Sequence, residues 1–136
     1  MSVDHALLLQ RLRDGTLDPA EFDHAAHVGV AYEALSRYEF FAALAMLADG
    51  LRDLARRAGV EDKFNATVTF AFTSLIAERM QQSPAADAER FLQDNPDLLE
   101  RGVLAPWYSS QRLQQGMARR LAVLPDRGDV ASAVHG

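Results

Sequence analysis

Apolar residues recur along this chain every three to four positions, and no stretch alternates for long enough to read as a strand. The first run, Leu7, Leu8, Leu9 and Leu12, predicts a helix capped by Ser2 and closed by Gly15. "DPAE" then reads as a helix start. Asp18 takes the N-cap, Pro19 the first helical position, where its missing N–H costs nothing, and Glu21 completes a capping box. The pattern continues to about Arg37, with a break near Asp23 left open. A third helix, about Glu39 to Ala58, carries Phe40, Phe41, Leu44, Leu47, Leu51 and Leu54 and stops at Gly59. The fourth begins near Asn65 and runs to about Gln82. Its opening "NATVTFAFTSLI" is rich in strand-favouring residues, but its length and the following "SLIAERM" favour helix.

Ser83 as cap and Pro84 at the first position predict a short fifth helix that ends before Pro96. "PDLLERG" adds a turn or two and "APWYSS" a loop. A last helix, about Ser110 to Ala122, rests on a seam of Leu113, Met117 and Leu121. The expectation is an all-α fold: a compact single-domain bundle of five to six helices over residues 1–125, followed by a flexible C-terminal tail, 126–136. The Phe40–Phe41 and Phe70–Phe72 pairs belong to its core on this reading.

Composition narrows the chemistry. At 136 residues the chain suits one core, and its 19 acidic against 14 basic residues argue against a nucleic-acid surface. With no cysteine, disulfides, thiolate metal sites and a cysteine nucleophile are excluded, so any metal must be held by histidine, carboxylate, amide or water. No stretch reads as a signal peptide or a membrane span, and a cytoplasmic location is expected.

Two of the four histidines fall in "EFDHAAHVG". Three residues apart on a helix, His24 and His27 face the same way, on the side shared with Val28, Ala31 and Leu35. Glu21 extends the row to E-x-x-H-x-x-H, and Asp23, four residues before His27, is placed to hold one of its ring nitrogens. Three chemistries follow: a metal site built on Glu21, His24 and His27, an acid–base site using His24 and His27, or a pocket whose imidazoles bond a polar ligand. The more common outcome for such spacing is two partly buried histidines satisfied by nearby oxygens. The zinc signature H-E-x-x-H is absent.

From Phe22 to Pro125 the chain resembles a largely uncharacterised family of small bacterial all-helical proteins. The resemblance rests on "FDHAAHVGVAYEAL", "KFNATVTFAFTSLIAERM" and "FLQDNPDLLERGVLAPWYSSQRLQQGMAR", in that order and spacing. The family pattern has F-x-H-x-x-H near its start, matched by Phe22, His24 and His27. It also has an aromatic-His-x-Thr block, often with glutamate between His and Thr. Here that block reads "FNAT", with Phe64 and Thr67 matching, Asn65 in place of the histidine and Ala66 in place of the glutamate. The resemblance implies a pocket where His24, His27 and Asn65 converge, with Thr67 beside them and Trp107 and Tyr108 as candidate walls. The stronger reading of Thr67 is hydrogen bonding to carbonyls at the helix start, and that of Trp107 and Tyr108 ordinary packing of their loop onto the bundle. Asparagine binds transition metals poorly and moves no protons near neutrality, so catalysis and a divalent metal are both disfavoured in this chain.

The leading expectation is therefore a small-molecule binding or accessory protein with a polar, histidine-lined pocket between helices. An enzyme using His24 and His27, and a helical interaction module that can self-associate, are the alternatives.

Overall fold

The computed structural model describes residues 3–127, and these form a single all-helical bundle. Its elements are α1 (His5–Asp14), α2 (His24–Arg37), α3 (Phe40–Arg57), α4 (Ala66–Gln82), α5 (Ala88–Asp94), α6 (Ser110–Gln114) and α7 (Gly116–Arg120). Short 3₁₀ turns lie at Pro19–Glu21, Glu61–Lys63 and Pro96–Leu99. The first five helices build the bundle, and α6 and α7 are single turns that close one end of it.

The middle of the bundle is α2, which packs against α1, α3, α4 and α5. Its sequence explains that position. Ala26, Val28, Gly29, Val30, Ala31 and Ala34 are all buried, and together they cover more than one face of the helix. Small side chains let neighbours approach from several directions. At Gly29 a Cβ would overlap the His5 ring, and at Gly50 of α3 it would overlap Leu12, so both glycines permit close approach of α1.

Several helix ends differ from the expected ones. Ser2 lies outside the described residues, and α1 is capped by Asp4, whose Oδ1 accepts from Leu7 N at 3.0 Å. Asp18 and Pro19 open only one 3₁₀ turn. Asp23 then supplies a fresh N-cap, accepting from Ala26 N at 2.8 Å, so the chain breaks at Asp23 and no capping box reaches Glu21. Asp87, not Ser83, caps α5, because Ser83 still donates its N–H to Arg79 O and closes α4.

The predicted last helix splits at Gln115, whose backbone is extended ahead of Gly116, a residue that costs about 1 kcal/mol in a helix interior. The split turns Ala118 and Val123 inward and leaves Met117 and Leu121 exposed. Phe41 is also exposed, at 71%. The Glu39 cap sets the register of α3 so that Ala43 and Leu47 point inward, which puts Phe41 on the opposite side. Phe72 is in the core and Phe70 half-buried. Asp126 and Arg127 are tied down rather than free: Asp126 accepts from the Ser109 N–H and hydroxyl, and Arg127 N donates to Trp107 O. The rest of the expected tail, 128–136, lies outside the described residues.

Candidate functional site

Because Asp23 caps α2, His24 is the first residue of that helix and His27 sits one turn further in. His24 is exposed and His27 half-buried. Their rings meet edge to face with centroids 6.1 Å apart. Phe72 of α4 packs against both, at 5.3 Å from His24 and 5.6 Å from His27, while Phe22 lies 5.6 Å from His27 on another side. Helical spacing predicts that both turn inward, but His24, in the first turn, stays exposed and only His27 is half-buried, with Phe72 packed against both at the α2–α4 contact.

The two imidazoles differ chemically. His24 Nε2 lies 2.9 Å from Leu98 O. A carbonyl only accepts, so Nε2 carries the proton and Nδ1 is left as the acceptor of the neutral ring. The His27 side chain makes no hydrogen bond among the described residues, its backbone N–H alone donating to Asp23 O, and no buried side-chain nitrogen or oxygen there lacks a partner. Its ring nitrogens are therefore not sealed inside the protein but open onto the adjoining cavity. Burial, reinforced by the nearby His24, pushes the His27 pKa from its ordinary 6.5 down to about 4. At neutral pH it is an uncharged imidazole with both a donor and an acceptor on offer. Asp23 does not orient it, since the Asp23 carboxylate is engaged as the helix cap.

The cavity measures about 780 Å³ and lies between α2, the start of α4, residues 99–105 and the α6–α7 end. His24, His27, Asn65 and Tyr108 all line it, with Val68, Phe72, Leu104 and Leu113 as apolar wall. Both polar atoms of Asn65 are engaged: its Oδ1 caps α4 by accepting from Val68 N at 3.0 Å, and its Nδ2 donates to Leu113 O at 2.7 Å. Position 65 is an N-cap, where asparagine is among the best residues, so here the amide is structural. Tyr108 donates its hydroxyl to Val123 O at 2.8 Å, and burial pushes its phenol up.

The other expected site residues lie elsewhere. Thr67 is completely buried, donating to Leu121 O at 2.6 Å and accepting from Val123 N at 3.0 Å, so it anchors the chain after α7 and does not face the cavity. Trp107 lines a separate, smaller cavity of about 200 Å³ with Phe70 and Pro125. Glu21 is exposed in the 3₁₀ turn before Asp23 and is not part of the cavity wall. The metal set of Glu21, His24 and His27 is not assembled. No group of three or more histidine or acidic side chains among the described residues is placed to hold a metal ion.

One structural partner was not foreseen from the sequence. Arg79 of α4 bonds Asn95 Oδ1 at 3.0 Å and grips Asp97 through two hydrogen bonds of 3.0 and 2.7 Å. This holds the Pro96–Leu99 turn, which presents Leu98 O to His24. The "DNPDLL" segment thereby fixes the His24 tautomer from across the cavity edge. Its aspartate and arginine are 18 residues apart, too far for any local spacing rule.

No family model, no curated protein and no solved structure matches this chain. Among the described residues no helix is long and apolar enough to cross a membrane.

Proposed function

We propose that this protein binds a small molecule in the histidine-lined cavity between α2 and α4, as a binding or accessory protein. The observation that carries the reading is His27: a neutral imidazole whose nitrogens have no protein partner and open onto a mainly apolar cavity of about 780 Å³. A purely structural histidine at a helix contact would have its nitrogens satisfied by the fold. The volume falls within the range of ordinary ligand sites, about 300 to 1,000 Å³. Asn65, with its amide spent on the α4 cap and on Leu113 O, fits a site in which the family's third histidine has been exchanged for a structural residue.

An acid–base reading has to rest on His24. His27, with its pKa near 4, is too weak a base to collect protons at pH 7, whereas His24 presents Nδ1 as an acceptor fixed by the Leu98 contact. This is the second reading, and it needs a reacting group delivered within hydrogen-bond reach of that nitrogen.

The test uses the amphiphilic dye 1-anilinonaphthalene-8-sulfonate. The expected result is one dye per chain with enhanced fluorescence. Binding should be lost when the cavity is filled from either wall by Val68→Trp or Ala105→Phe, and weakened by His27→Gln. Equal binding to the wild type and both filled variants, each shown to be folded by circular dichroism, would refute the cavity reading.

A further inference from the structure

Resting on that cavity reading, we propose that the ligand is an amphiphilic carboxylate, its acid group held at the cavity mouth by Arg119 and its apolar body laid over Val68, Phe72 and Leu113. The inner wall has few polar groups left to offer. The Asn65 amide makes two bonds, the Tyr108 hydroxyl donates to Val123 O, and His24 Nε2 donates to Leu98 O, so on α2 His27 and the acceptor Nδ1 of His24 remain open to a ligand. A ligand with many polar groups along its length would bury them unpaired. The body of the ligand is therefore apolar.

Charge at the wall sets the sign of the head group. Acids outnumber bases 19 to 14 in the whole chain, yet the cavity wall reverses this, with Lys63, Arg101 and Arg119 against Asp62 and Glu100. None of the five takes part in an ion pair among the described residues. Lys63 and Arg101 each have an acid as sequence neighbour, Asp62 and Glu100. Arg119 does not, and its guanidinium fork suits a carboxylate in two parallel hydrogen bonds.

The experiment is isothermal titration of the full chain with decanoate, decan-1-ol and decylammonium. Decanoate is expected to bind at one per chain, about tenfold more tightly than the alcohol and more tightly still than the amine. Octanoate, two methylenes shorter, should bind about tenfold more weakly than decanoate. Arg119→Gln, at an exposed position whose side chain makes no hydrogen bond or ion pair among the described residues, should bring decanoate down to the level of the alcohol, with circular dichroism checking the fold. Alcohol or amine binding as tightly as the acid overturns the inference and leaves the cavity reading standing, as does an acid preference unchanged in Arg119→Gln. If none of the three binds while the dye still distinguishes wild type from Val68→Trp, the inference fails alone. If the dye fails as well, both fall.

Discussion

Acidification should destabilise this protein through His27. In the unfolded chain His27 takes up its proton near 6.5, and in the folded state only near 4, because the charged ring would be buried beside His24. The folded-state pKa is depressed, so the contribution is fully present above pH 6.5 and is lost as the pH falls towards 4. A gap of about 2.5 pH units at about 1.4 kcal/mol each gives at most about 3.5 kcal/mol, of which about 2.5 is lost by about pH 4.5. That is a large share of the 5 to 15 kcal/mol by which domains are typically stable, roughly speaking. Hydrogen bonding to Arg79 holds Asp97 below its ordinary 3.8, and its contribution fades only as the pH falls through and below that value. Urea unfolding at about pH 7 and about pH 4.5, for wild type and His27→Gln, separates the two. The wild type should lose about 2 to 3 kcal/mol more than the variant over this interval. Equal losses in the two proteins would refute the burial of a neutral His27.

Three further outcomes follow from the packing. Thr67→Val keeps the shape but leaves Leu121 O and Val123 N without their partner; it should cost about 2 to 4 kcal/mol in urea unfolding while leaving dye affinity per folded molecule unchanged. Gly29→Ala pushes a methyl group into the His5 ring and should cost about 1 to 3 kcal/mol, with His5→Ala restoring much of that in a double-mutant cycle. Asp97→Asn breaks the two-bond grip of Arg79, and with both groups partly exposed it should cost only about 1 kcal/mol. Its sharper effect is on His24, whose Nε2–H tautomer should become mixed in imidazole nitrogen spectra as Leu98 O loosens. An unchanged tautomer would show that the Arg79 clamp does not position the turn.

The helical class and most helix positions were legible because they depend on spacing along one segment. Apolar runs every three to four residues located α1 to α4 within a few residues. Caps were less legible, since Asp4, Asp23 and Asp87 each competed with a plausible neighbour and tertiary packing chose between them. The break at Gln115 has the same origin: Leu113, Met117 and Leu121 carry a good helical seam, but the bonds from Thr67 to Leu121 and Val123 hold the following chain in an extended path. At the cavity, His24 and His27 were visible as a pair, and the FNAT block marks the end of α4 that lines it. What no spacing rule shows is which atoms are already spent. Asn65 and Thr67 resembled ligand-facing residues until their polar atoms were traced to Val68, Leu113, Leu121 and Val123. The cavity's apolar wall and Arg119 come from segments more than 40 residues beyond the histidines in part, a distance at which the linear sequence carries no sign of contact.

The central claim is that the open nitrogens of His27 face a ligand. Its most direct test is the imidazole nitrogen spectrum of histidine-labelled protein, recorded with and without 1-anilinonaphthalene-8-sulfonate. On dye addition His27 should shift strongly, His24 should keep its Nε2–H tautomer, and His5, buried against Gly29, should stay where it is. Val68→Trp should abolish the His27 shift. Saturable dye binding that leaves the His27 resonances in place would contradict the account.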